Sequence, residues 1–384
     1  MWRSLASNML TFLVVGLFLL AGVVLWGQGQ YTAQGPLSEA MCYQVQRGSN
    51  MARVSRELEE RGAVSNSTIF RLGADYTDKS GQLKAGSFLV RPGDSMQDIV
   101  EAVTKGGAST CGTEIVFRVG VTRTLVEVRE LDPATDTFVE RAEFNPLEDK
   151  VPPVYAEKRR EADTRYRVTL AEGVTSWQVT EALKTMDMLT GEVEELPKEG
   201  TLAPESYEVV EGTNRADLIA DMQALQVLRV NAVWENRQGG LPIETPEEML
   251  ILASIIEKET GVPEERRQVA SVFTNRLHRG MRLQTDPTVI YGVTKGRGVL
   301  GRGLRRSELR RVTPWNTYVI EGLPPTPIAN PGIASLEAAV DPDNTPYVFF
   351  VADGTGGHAF AETLEEHNRN VARWREIEAE RSGN

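Results

Sequence analysis

An acid at the end of an apolar helix is the feature of this chain best suited to chemistry. The run Thr245-Pro-Glu-Glu-Met-Leu-Ile-Leu-Ala-Ser-Ile-Ile-Glu-Lys-Glu259 opens with a capping box: Thr245 as N-cap, Pro246 at the first helical position and Glu248 three residues after the cap. Gly261 and Pro263 are expected to stop the helix. Leu252, Ile255, Ile256 and Glu259 fall at i, i+3, i+4 and i+7, so the last carboxyl continues the stripe that faces the core. Burial and the negative helix end would both raise its pKa, as a general acid near neutral pH requires. Glu257 lies over Ala253 and points elsewhere. The pattern also has an ordinary explanation. A stripe that reaches the surface in its last turn can end in a glutamate, and perturbed carboxylates occur in structural networks as well.

The remaining features bound what such an acid would act on and where. The 384 residues suffice for two or three domains with real cores. With 42 basic against 54 acidic residues, a net −12, no basic surplus exists to neutralise phosphates, which argues against a nucleic-acid partner. Only Cys42 and Cys111 are present; a single disulfide and two buried thiols are both compatible with them. His278, His358 and His367 are too dispersed to suggest a zinc site, and no motif calls for a cofactor. Met9 to Trp26 is free of charge and just long enough to cross a hydrocarbon core. A cleaved signal peptide is the rival, but no small-residue cleavage site follows Trp26. The run therefore reads as an anchor, with residues 1–8 cytoplasmic because Arg3 precedes it and the rest of the chain outside.

Residues 27–40 read as a polar linker. One local pattern then occurs three times: Gly48-Ser-Asn50, Gly93-Asp-Ser95 and Gly173-Val-Thr175, each succeeded by apolar residues four and eight positions beyond the cap. Each copy reads as a strand, a turn glycine and a capped amphipathic helix, in modules spanning 41–112 and 166–240. Independent helix starts that look alike would give the same signal. Between them, 113–165 carries strand-like alternation and then an exposed charged run from Glu157 to Glu161, as an insertion would. A helix capped by Thr213 or Asn214 should run to about Trp234, and Gly239-Gly240 form a boundary before a C-terminal domain over 241–384. There a helix is expected from Glu264 to Arg279. Tyr347 to Val351 should be a buried strand, Asp353 to Gly357 a hairpin turn, and Thr363 the cap of a last helix. Gly296 to Gly303 lacks the lysine-serine ending of a phosphate loop and reads as a flexible surface loop. The fold class expected is α+β: an N-terminal transmembrane helix, small strand-helix modules and a C-terminal mixed α/β domain.

Ordered blocks in the C-terminal half carry a resemblance. Ala253 to Thr260, Val269 to Leu277, Gly280 to Gly292, Pro314 to Tyr318, Gly322 to Pro325 with Ile328 to Gly332, and Val351 to Phe360 together span essentially all of 245–370, and they resemble the YceG-like family. The anchor and the modules, LysM-like by this resemblance, agree with it. The resemblance implies membrane-anchored enzymes that cut peptidoglycan glycan strands at the β-1,4 bond between N-acetylmuramic acid and N-acetylglucosamine, leaving a 1,6-anhydro end. It implies an inner-membrane location with the bulk of the chain periplasmic, peptidoglycan synthases as candidate partners, and Glu259 as the catalytic acid. Residues in the matching blocks that could bind the sugar are Gln284, Asp286, Tyr291, Asn316, Tyr318 and His358, while Trp315 offers a further aromatic face. Each has an ordinary alternative. Asp286 before Pro287 would make a good N-cap, Asn316 and Tyr318 fit a turn, and an aromatic or a lone histidine fits a core. Two other functions stay open: a conventional muramidase using Asp286 as second carboxylate, and a glycan-binding scaffold without activity.

Overall fold

The computed structural model describes residues 2–46, 48–105, 110–161 and 164–382, with the side chains of 2–10 and 382 left aside. The side chains of Arg3 and Met9 thus lie outside the described residues, as does Asp163 in the expected insertion. The chain divides into two compact units, Met1–Ile115 with Glu127–Phe144 and Val151–Arg165, and Val116–Val126 with Asn145–Lys150 and Tyr166–Asn384.

The first unit begins with α1 (Trp2–Thr32), of which Thr11–Thr32 is long and apolar enough to cross a membrane. The helix continues six residues beyond Trp26, into the stretch whose sequence suggested a linker. Tyr31 explains why: its ring is buried in the core of this unit, and a Cβ at Gly73 would come within 2.2 Å of it. The chain continues through β1 (Met41–Val45), α2 (Met51–Glu60), α3 (Ser67–Tyr76), β2 (Gly86–Val90), α4 (Met96–Thr104), β3 (Thr113–Val119), β4 (Thr124–Asp132), β5 (Thr137–Phe144) and the short α5 (Pro153–Lys158). β1 and β2 pair antiparallel from Met41 opposite Val90 to Val45 opposite Gly86, over a core of Tyr43, Val54, Leu58, Phe70 and Ile99. Cys42 and Cys111 form a disulfide, their Cα atoms 5.7 Å apart, which decides between the two readings of the cysteines. A pocket beside it is lined by Thr113, Glu130, Asp132, Arg141 and Glu161, where Glu130 pairs with Lys158 at 2.6 Å and Arg141 at 2.7 Å. None of the candidate site residues lines it.

The second unit holds β6 (Arg165–Leu170), α6 (Ser176–Thr185), β7 (Ser206–Val209), α7 (Arg215–Glu235), α8 (Pro246–Glu259), a 3₁₀ turn at Pro263–Glu265, α9 (Arg266–His278), α10 (Asp286–Thr294), α11 (Arg306–Arg310), α12 (Ile333–Val340), β8 (Phe349–Ala352), β9 (His358–Ala361) and α13 (Leu364–Ser382). β6 and β7 pair antiparallel from Tyr166 opposite Val209 to Thr169 opposite Ser206, and β8 and β9 form a separate antiparallel hairpin. The strand expected at Tyr347 begins two residues later and is only half buried. The architecture is mixed α+β with an N-terminal apolar helix.

The thrice-repeated pattern is real at the level of local structure. Gly48, Gly93 and Gly173 all have φ near +80°, which favours glycine, and Asn50, Ser95 and Thr175 each cap a helix. Around α8 the core is apolar on almost every side: Met249, Leu252, Ile255 and Ile256 pack with Val269 and Phe273 of α9 and with Leu336 and Ala339 of α12. A helix enclosed in this way is a rigid mount for whatever its last turn carries.

Candidate active site

α8 starts much as its sequence suggests. Thr245 Oγ1 accepts the N–H of Glu248 at 3.1 Å, while the Glu248 carboxylate accepts the N–H of Glu244 at 2.6 Å, one residue before the N-cap. Its end differs. Thr260 turns extended, with φ −137°, and its hydroxyl accepts the Val262 N–H at 3.0 Å. Gly261 has no left-handed conformation, so the helix halts at the extended Thr260 and the turn at Pro263 rather than at a glycine cap.

The last three residues of α8 diverge because each occupies a different face. Glu257 accepts the Gly332 N–H at 3.0 Å, and Lys258 Nζ donates to the Gly173 carbonyl at 3.2 Å. Glu259 accepts a hydrogen bond from the Thr285 hydroxyl. Leu252, Ile255 and Ile256 are fully buried, and Glu259 extends their stripe to a partly exposed position. Its pKa is raised to about 7, chiefly by burial. The Thr285 hydrogen bond opposes that rise, the Asp286 charge adds to it, and His358 and Arg276 oppose it. At neutral pH this carboxyl can therefore both give and take a proton.

The partner Thr285 is itself held firmly. It is buried, its N–H donates to Thr317 Oγ1 at 3.1 Å, and Thr288 and Thr317 share a hydrogen bond of 2.8 Å. Just before it, Gln284 has φ +49°, an unfavourable left-handed conformation for a residue with a Cβ, and its N–H is taken by the Thr317 carbonyl at 3.1 Å. Arg276, buried on α9, donates to the Leu283 carbonyl at 2.5 Å and the Val348 carbonyl at 2.6 Å. The segment beside Glu259 is fixed from three directions.

The candidate residues separate accordingly. Asp286 and Tyr318 belong to the neighbourhood of Glu259: the Tyr318 hydroxyl donates to Asp286 at 2.6 Å, and burial with the Asp286 charge raises the phenol's pKa. Asp286 is the first residue of α10, with Thr285 at the N-cap position, so it does not cap that helix as its sequence suggested. Gln284 is exposed next to the site. His358 is gripped by Glu265, whose carboxylate accepts its backbone N–H and meets its Nδ1, both at 2.9 Å. Tyr291 donates to Glu199 at 3.2 Å and packs on Trp315 with ring centres 5.8 Å apart. Asn316 is fully buried, and its amide holds the carbonyls of Glu308, Leu309 and Arg311 and the N–H of Tyr318. Both of its amide N–H donors are thereby engaged in shaping the chain.

Sequence reasoning passed over Thr285, Thr317, Arg276 and Glu265. Only Arg276 left a legible signal, since it lies three, four and seven residues after Phe273, Val272 and Val269 on a buried helix face.

A partly exposed acid with a pKa near 7, mounted on a buried helix and flanked by hydroxyls and a second carboxylate, is the arrangement of an acid–base site in an α+β domain. The chain belongs to the YceG-like family, whose match covers residues 43–373. It is 28% identical over 330 residues to the endolytic murein transglycosylase of Bacillus subtilis (strain 168), covering 85% of this chain and 82% of that protein. To the proteins of that name from Streptococcus pneumoniae D39 and R6 it is 29% identical over 335 residues, 85% of this chain but only 57% of theirs. A solved yceG-like protein from Listeria monocytogenes aligns at 24% identity with a TM-score of 0.46, over 87% of this chain and 99% of that one.

Proposed function

We propose that this chain is an endolytic peptidoglycan lytic transglycosylase with Glu259 as its acid and base. The observation that carries the reading is the setting of that carboxyl: ionisable near pH 7, oriented by Thr285 and partly open to solvent. Glu259 first protonates the glycosidic oxygen as the bond from the muramic acid anomeric carbon to it breaks. The 6-hydroxyl of the same muramic acid then bonds to that carbon and passes its proton to the carboxylate. One proton leaves Glu259 and one returns, so no water is consumed and a 1,6-anhydro ring closes. The nucleophile is tethered, and its proximity replaces the second carboxylate of an ordinary glycosidase. In this reading Asp286, exposed and held by Tyr318, balances positive charge on the ring. Gln284, Tyr318 and His358 are further sugar-contact residues in this reading.

The apolar helix over Thr11–Thr32 supports a single-pass anchor in the inner membrane, and the disulfide supports a periplasmic position for the residues beyond that helix. The repeated strand-glycine-capped-helix pattern supports small LysM-like modules over 41–112 and 166–240 that hold glycan beside a catalytic domain over 241–384. Cleavage of isolated glycan strands by the wild type and by Glu259→Gln tests the assignment. The substitution should reduce turnover by about a hundredfold to ten-thousandfold, the usual scale for losing a general acid, while binding persists. Undiminished turnover would exclude Glu259 as the acid.

A further inference from the structure

The segment from Lys295 to Arg311 is the most basic stretch of an acidic chain. It holds six arginines and a lysine against one acidic residue, Glu308, in a protein of net charge −12. Glu308 is engaged by Arg302 in a two-pronged pair at 2.9 and 2.6 Å, which braces the segment from within. Arg297, Arg306, Arg310 and Arg311 are exposed and have no side-chain hydrogen bond or ion pair among the described residues. Exposed Val299 and Val312 lie among them. Cations left this way in an acidic protein attract an anion from outside.

The position of the segment says which anion. It leaves the end of α10, whose first residue comes directly after Thr285, and returns to Asn316, whose amide clamps the carbonyls of Glu308, Leu309 and Arg311. The next residue, Thr317, bonds Thr285 and Thr288. Both ends of the basic excursion are therefore fastened to the group of residues that orients Glu259.

We propose that residues 295–311 form a carboxylate-recognising surface for the peptidoglycan strand, engaging the stem-peptide carboxylates carried beside the bond offered to Glu259. The proposal rests on the transglycosylase reading of the site. Guanidinium groups suit it because their planar donors pair with a carboxylate through two hydrogen bonds. A surface tied at both ends to the acid's own supports is coupled to the substrate of that acid, and this favours the strand over an anionic lipid surface.

The test measures binding of full-length protein in detergent, carrying Glu259→Gln so that strands are not consumed. It is compared with the same protein carrying in addition Arg297→Gln, Arg306→Gln, Arg310→Gln and Arg311→Gln. The probes are glycan strands with intact stem peptides, the same strands with their carboxylates converted to neutral amides, and vesicles of anionic lipid. The expected result is about tenfold weaker binding of the fourfold variant to intact strands, with a shallower salt dependence. Amidated strands should bind both proteins equally and weakly. Coincident thermal unfolding of the two proteins excludes loss of the fold as the cause. Unchanged affinity and salt dependence would overturn the proposal, as would an equal loss on amidated strands or a loss confined to vesicles. The transglycosylase reading fails by a different result, retained cleavage by Glu259→Gln, so the two can be told apart.

Discussion

Glu259 has a pKa of about 7 in the fold against 4.5 for an ordinary glutamate, and two opposite substitutions should move it. As a proton donor it must be protonated, so kcat/KM should fall as pH rises through about 7. The Thr285 hydrogen bond stabilises the carboxylate, and removing it in Thr285→Val should shift that limb to higher pH, with Thr285→Ser restoring it. The Asp286 charge disfavours the carboxylate, so Asp286→Asn should shift the limb to lower pH. Coincident pH–rate profiles of the three proteins would mean that another group titrates. The same raised pKa makes a prediction about stability. Below about pH 4.5 both folded and unfolded chains hold the proton, and the group is neutral to folding. As pH rises through 7 the folded state must ionise a carboxyl in a poor environment, and stability is lost. Glu259→Gln should therefore match the wild type in denaturant unfolding at pH 4 and exceed it at pH 8 by roughly 1–3 kcal/mol.

At the scale of elements, α8 fixes where that carboxyl stands. Leu252→Ala, at a position with no exposure, should cost about 2–5 kcal/mol in urea unfolding. An unchanged midpoint would mean that the helix is not the rigid mount described. This element was legible in the sequence because its signals are local: a cap, an apolar period and an acid in phase with it. The supports of Glu259 were not legible, because Thr285 lies 26 residues further on and Arg276 arrives from the neighbouring helix. Asn316 and Tyr291 show the opposite limit. A polar side chain that organises a turn and one that meets a ligand have the same sequence signature, so the carbonyls held by the Asn316 amide and the Glu199 partner of Tyr291 emerge only in the fold. The stop of α8 was misread for a related reason, since Gly261 signals a glycine cap while Thr260 makes one unnecessary.

The whole molecule couples an apolar N-terminal helix to a disulfide-closed first unit and a helical second unit built around α8. The link Cys42–Cys111 closes a loop of 69 residues, and its reduction should lower stability by about 4 kcal/mol on the chain-entropy scale. The effect should appear in unfolding with and without reductant, and Cys42→Ser should be insensitive to reductant. Tyr31 ties the end of α1 into the same core, so the apolar helix continues into a folded unit without a slack tether. The strand-like alternation at Ile115, Phe117 and Val119 and at Leu125, Val126 and Val128, and the caps at Asn50, Ser95 and Thr175, were all readable. The disulfide was not, since two cysteines in a sequence do not reveal their distance.

The most direct test of a single acid working with the sugar's own hydroxyl is the mass of the product ends. Glycan strands incubated with the wild type should yield fragments one water lighter than hydrolysis gives, each closed by a 1,6-anhydro ring, and Glu259→Gln should yield none. Fragments with free reducing ends would contradict the account and assign the second role to a carboxylate-activated water, with Asp286 the nearest candidate.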